Sequence, residues 1–198
     1  MKVLFRNTRT TDSLPAARSA GFLFRLAQPK AACALFAFLL AAVVVAQTPP
    51  PRPAPEFVIH MADGSNKPLS SFKGKVVMLA LMQTGCPHCQ HFAQQLGMYQ
   101  KEYGPKGVQV LGAVFDTGAK AGLPHFAEQF VRGFPVGYSD ETTVMNWLKQ
   151  PVEQGYFVPI LAFINRRGQI VSQHMGDDLL FQDPDTNIRH ALDRLLRN

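Results

Sequence analysis

The sequence predicts an α/β sandwich, a central mixed β-sheet with helices on both faces. Three observations carry that prediction. Residues 75–82 and 108–115 are almost unbroken apolar runs of strand length, the pattern of strands covered on both sides. Stretches with helical spacing alternate with them, from Phe92, Leu96, Tyr99 and Tyr103 to Ile188, Ala191, Leu192, Leu195 and Leu196. Near the C-terminus residues 160–164 and 169–174 flank the turn Asn165-Arg166-Arg167-Gly168, as the two arms of a hairpin do.

In chain order, residues 1–30 are basic and irregular, and residues 31–46 are an uncharged apolar run ending in small residues. A basic flank, an apolar core and small residues make a secretory signal. The run is shorter than the roughly 20 residues of a spanning helix. Residues 1–47 therefore read as a signal peptide or as an uncleaved N-terminal membrane anchor, with the rest exported. Cys33 reads as a small residue of that leader. Residues 48–55, rich in proline, read as an extended, semi-rigid linker unable to join a core. The folded domain is expected over residues 56–198.

Within it, residues 57–61 read as a short strand, and Ala62-Asp63-Gly64-Ser65-Asn66 as a turn. Residues 69–72 suggest a helical turn before the strand at 75–82. A helix follows from Cys86 to about Tyr103, where Gly104-Pro105 stops it. Beyond the strand at 108–115, residues 124–131 read as a helix opened by Pro124, 134–138 as an extended piece and 141–149 as a helix. Val158-Pro159 opens the strand at 160–164, and the last helix starts near Pro184.

The whole chain of 198 residues carries a formal charge of +6 and is 46% hydrophobic. Six of its 20 basic residues, but one of its 14 acidic ones, fall in residues 1–46. The remainder holds 14 basic and 13 acidic residues and is nearly neutral, so nothing indicates a nucleic-acid partner. The basic excess belongs to targeting.

Outside the leader the cysteines are Cys86 and Cys89, in Thr84-Gly85-Cys86-Pro87-His88-Cys89. So close a pair closes no large loop and would stabilise little as a structural bridge. It reads as a redox pair or half of a metal site. Cys86 falls at a helix N-terminus, where free N–H groups and the helix dipole favour a thiolate. Pro87 suits the first helical position. Cys89 lies one turn on, placed to resolve a mixed disulfide.

Several segments in register carry a family resemblance. They are Asp63-Gly64, Leu69-Ser70-Ser71-Phe72-Lys73-Gly74-Lys75, the Cys86-Pro87-His88-Cys89 site, Gly107-Val108-Gln109-Val110-Leu111-Gly112, Phe134-Pro135-Val136, Val158-Pro159 and Gly168-Gln169-Ile170-Val171. Over residues 56–198 the chain resembles thioredoxin-fold proteins of the TlpA/ResA type, which are exported, often membrane-tethered thiol–disulfide oxidoreductases. The resemblance implies a thioredoxin-like sandwich located at the periplasmic or extracytoplasmic face of the membrane. It implies that Cys86 and Cys89 are catalytic, and that the partners are protein thiols or disulfides and a redox partner protein. No organic cofactor is implied. It also implies a cis bond at Val158-Pro159, where partner backbone would pair by β-augmentation.

Two departures matter. Gly85 stands where thioredoxins carry tryptophan, which opens the site to substrate. Ala80 stands where many bury an acid beneath the resolving thiol. The dipeptide Pro87-His88 is that of the oxidase DsbA, and a histidine beside the thiolate stabilises the reduced form and makes the disulfide more oxidising. The alternative is a copper- or zinc-binding chaperone of the same fold, with Cys86, Cys89, His88 and His91 as ligands and His174, beside Met175, as a distal one. Relatives of that kind place three residues between their cysteines; here there are two. A peroxiredoxin-type site would want a proline upstream of Thr84 that is missing.

Overall fold

The computed structural model describes residues 50–151 and 154–197. The expectations for residues 1–47, including the apolar run at 31–46 and Cys33, lie outside the described residues.

Eight strands form one mixed sheet, β1 (Arg52–Pro53), β2 (Val58–His60), β3 (Asn66–Pro68), β4 (Val76–Met82), β5 (Val108–Val114), β6 (Val136–Tyr138), β7 (Ile160–Ile164) and β8 (Gln169–His174). Their spatial order is β1-β8-β7-β4-β5-β6-β2-β3. The two apolar runs occupy the middle. β4 pairs in parallel with β5, Val76 opposite Val108 through Met82 opposite Val114, and antiparallel with β7. All seven residues of β4 are buried, as a strand covered on both faces must be.

The pleat sorts β4 into two cores. Val76, Met78, Ala80 and Met82 face helices α1 (Pro87–Tyr103), α2 (Ala119–Phe130) and α4 (Pro184–Arg197) through Phe92, Leu96, Leu123, Phe126, Ile188 and Leu192. Val77, Leu79 and Leu81 face the other side, where α3 (Glu141–Leu148) brings Val144, Met145 and Trp147 against Phe57 and Ile59. Each large apolar side chain buried in these layers contributes about 1.5–3 kcal/mol. At the β2–β6 crossing Gly137 is required, because a Cβ there would lie 2.4 Å from the His60 carbonyl oxygen.

Three details differ from the sequence reading. The proline-rich stretch does not run free as a linker. Arg52 and Pro53 pair with Ile170 and Gln169 as an edge strand, the Ala54 N–H donates to Gly168 O, and Trp147 Nε1 donates to Pro55 O at 2.9 Å. Proline is admissible there because an edge strand leaves one side of its backbone unpaired. Second, Asn66 opens β3, which closes a hairpin onto β2. Third, α2 starts at Ala119, after Gly118 at φ +88, and holds Pro124 within it. The proline sits in the second turn, so the chemistry that marks a helix start points about a turn too late here.

Candidate active site

β4 ends at Met82 and hands the chain to Gln83-Thr84-Gly85, which turns it into α1. Cys86 is the N-cap, extended at φ −87 and ψ 115, and Pro87 takes the first helical position. The Cys86 sulfur accepts the Cys89 N–H at 3.2 Å. It thus takes one of the free donors of the helix N-terminus. Cys86 is half-buried, while Cys89 is fully buried against the core layer behind it. Both are free thiols. Burial pushes the Cys89 thiol up, and its contact with Cys86 and the charge of Asp116 push the same way.

Gly85 and His88 adjoin the pair in the chain. Gly85 is exposed, and a Cβ there would meet nothing within 4 Å, so the approach to Cys86 is open on that side. His88 is exposed on the first turn of α1. The Val158-Pro159 bond is cis, just ahead of β7. His88 and His91 on one side and residues 157–159 on the other line a groove of about 450 Å³. Phe157, which lines it, stands 62% exposed. Ala80 is fully buried in the apolar layer that also holds Cys89.

His174 is not gathered with the cysteines. Its Nδ1 lies 3.1 Å from Asp178 Oδ1, and its ring stands edge-on to Phe163. Among the described residues no group of three or more His, Cys, Asp or Glu side chains is assembled to hold a metal ion.

Sequence reasoning missed a polar shell around the loop. Asp116 accepts from the Thr84 N–H and hydroxyl, and Gln90 Nε2 donates to the Thr84 carbonyl. Gln83 Nε2 donates to the Tyr156 hydroxyl at 3.4 Å, which in turn donates to Glu141 Oε1 at 2.6 Å. Burial and that carboxylate push Tyr156 up to about 12. Gly176 was also missed; its N–H donates to the Phe157 carbonyl and fixes the loop that carries Val158. The β4–β5 register, which the structure supplies and the sequence does not, brings Asp116, two residues past the end of β5, to Thr84.

The family model described as Redoxin matches residues 50–188. A ResA thiol–disulfide oxidoreductase of Bacillus cereus is 24% identical over 126 residues, 64% of this chain and 69% of the relative. The corresponding protein of Geobacillus kaustophilus is 31% identical over 93 residues, 47% of this chain, and the chain spans about half of that relative, 53%. Among solved structures, a thiol:disulfide interchange protein of the thioredoxin family from Chlorobium tepidum superposes with a TM-score of 0.59 at 20% identity, covering 73% of this chain and 98% of that one. An uncharacterized conserved protein from Geobacillus kaustophilus gives 0.61 at 20% identity, covering 77% and 84%. The likeness shows the fold, a thioredoxin-like sandwich.

Proposed function

The chain belongs to the Redoxin family, and from that premise we propose that it exchanges disulfides with partner proteins through Cys86 and Cys89. The observation that carries this reading is the pairing of a half-exposed sulfur at a helix N-terminus with a fully buried thiol one turn behind it. Cys86 attacks a partner disulfide as thiolate, or is the sulfur attacked when the pair is oxidised. Cys89 resolves the mixed disulfide. Pro87 starts the helix that favours the thiolate, and His88 adds a group that is cationic when protonated. The Val158 backbone, ahead of Pro159, pairs with an extended partner segment, and Gly85 leaves room for it. The likeness to proteins named ResA thiol–disulfide oxidoreductase supports the same chemistry. On this reading the chain works at the extracytoplasmic face, exported through residues 1–47 and, where the leader is retained, tethered through residues 31–46.

The test is thiol–disulfide exchange with a reduced or oxidised protein substrate. Cys86→Ser abolishes it, and Cys89→Ser traps the mixed disulfide; turnover by Cys86→Ser at the parental rate refutes the reading. The equilibrium potential in glutathione buffers tests the tuning. A value well above thioredoxin's, about −270 mV, and toward DsbA's, about −120 mV, is expected from Pro87 and His88. A value at or below thioredoxin's refutes the tuning and leaves the exchange.

A further inference from the structure

Tyr156 stands two residues before Val158, and the exchange steps above do not use its hydroxyl. Of residues 154–157 it alone is not exposed. Its ring lies 5.6 Å from that of Phe115, centroid to centroid. Its hydroxyl donates to Glu141 Oε1 at 2.6 Å and accepts from Gln83 Nε2 at 3.4 Å. Glu141 opens α3, where a helix N-terminus suits a carboxylate. Gln83 is the first residue past β4, and its carbonyl accepts the Cys86 N–H at 3.3 Å. One side chain of the loop ahead of Pro159 thus reaches, through Gln83, the backbone of Cys86 itself. A second hold on that loop comes from Gly176, whose N–H donates to the Phe157 carbonyl at 2.9 Å.

We propose that Tyr156 is a positioning residue whose hydroxyl sets the Val158 backbone in register with the Cys86 sulfur, so that a partner segment paired there presents its disulfide for attack. This rests on the exchange reading and deepens it. Main-chain hydrogen bonds give an extended partner its affinity. Attack needs more, because the reacting sulfurs must meet in a defined geometry, and a misplacement of about 1 Å can cost on the order of a hundredfold in rate. Cys86 and Val158 lie on separate segments, so something has to fix their spacing. Burial does little of this, since Phe157 is 62% exposed and Val158 only half-buried. Polar ties remain, and Tyr156 supplies the one that runs to the cysteine loop. A hydroxyl suits the task because it donates and accepts at once, here to Glu141 and from Gln83. The ring alone, packed on Phe115, reaches neither.

The experiment uses the full chain, reduced, and compares two disulfides. Exchange with a protein disulfide draws on the docking backbone. Dithiobis(nitrobenzoate) does not, and its first coloured thiolate leaves as Cys86 is modified. Tyr156→Phe keeps the ring on Phe115 and loses the hydroxyl. Its kcat/KM with the protein disulfide is expected to fall about two- to tenfold, the size of one lost hydrogen bond, with the first dithiobis(nitrobenzoate) phase and the equilibrium potential unchanged. Glu141→Ala should do the same and the double variant no more, because both remove one bond. Glu141→Gln keeps an acceptor there and should retain the parental ratio of the two rates. A ratio unchanged in Tyr156→Phe and Glu141→Ala, whatever their melting temperatures, overturns the proposal and leaves a structural bond. Equal losses with both disulfides overturn it as well, since Cys86 itself would then have moved. A wild-type chain that reacts with dithiobis(nitrobenzoate) and with no protein disulfide refutes the exchange reading instead. Amide exchange at Gly176, bonded to Phe157, then decides the role of Tyr156: it quickens in Tyr156→Phe if the hydroxyl holds the loop, and an unchanged rate overturns the proposal.

Discussion

Replacing Gly176 by alanine should separate partner docking from the chemistry at Cys86. A Cβ at Gly176 would lie 2.8 Å from the Val158 carbonyl oxygen, 2.9 Å from its carbon and 3.3 Å from the Phe157 carbonyl carbon. These are backbone atoms, so no rotamer change relieves the clash. The Val158 carbonyl has to move by about 0.6 Å, the gap from 2.8 Å to the 3.4 Å where ordinary contact begins. The Gly176 N–H also donates to the Phe157 carbonyl, which couples the two segments. Overpacking of this kind costs about 1–3 kcal/mol of stability. If the Val158 backbone pairs with an extended partner, the shift weakens one or two hydrogen bonds worth about 0.5–1.5 kcal/mol each. At about 1.4 kcal/mol per factor of ten, the rate with a protein substrate falls about two- to 150-fold. The assay compares exchange with a protein disulfide against the first phase with dithiobis(nitrobenzoate), which needs no backbone docking. A loss confined to the protein substrate is expected. Equal losses with both would mean that Cys86 itself has moved, and an unchanged protein rate would refute docking at Val158.

Two further outcomes test the frame around the site. Trp147→Phe removes the bond from the indole to Pro55 O, and should cost about 0.5–1.5 kcal/mol in a urea melt and release the amide protection of Ala54, whose N–H donates to Gly168 O. Cys89 gives a pH signature: its thiol is pushed up in the folded state, so its contribution is fully present below the unfolded thiol value of about 8.5 and is lost as pH rises beyond it. Melts of Cys86→Ser with and without Cys89→Ser should therefore diverge only above about pH 8.5, by at most about 1.4 kcal/mol per pH unit, with the Cys89-bearing protein losing stability.

The middle of the fold was legible because two apolar runs of strand length leave few alternatives: β4 and β5 must be covered on both faces, and they are. The hairpin of β7 and β8 was legible from its turn, where Asn165 Oδ1 accepts from the N–H groups of Arg167 and Gln169. Local chemistry misled where tertiary contacts decide. Residues 52–55 read as a free linker by composition, yet the open edge of β8 offers them partners. Pro124 read as a helix start, yet Gly118 and the contacts of Ala119 and Leu123 with the core begin α2 earlier.

The site shows the same division at finer grain. Cys86, Pro87, His88 and Cys89 form one contiguous motif, so spacing alone puts them on a helix N-terminus. Asp116, Tyr156 and Gly176 come from separate segments, and only the folded chain brings them to Thr84, Gln83 and Phe157 respectively. At position 80 the sequence has alanine and no acid, and that alanine is buried in the same apolar layer as Cys89. That settles where a carboxylate is missing along β4, but not which acids other segments bring to the cysteine loop. Residues neighbouring in space across a parallel ladder are some thirty positions apart in sequence; Thr84 and Asp116 are 32 apart. A substitution on one strand therefore says nothing about its neighbour. Here the acid two residues past the neighbouring strand accepts from the cysteine loop through both oxygens, at the Thr84 N–H and hydroxyl.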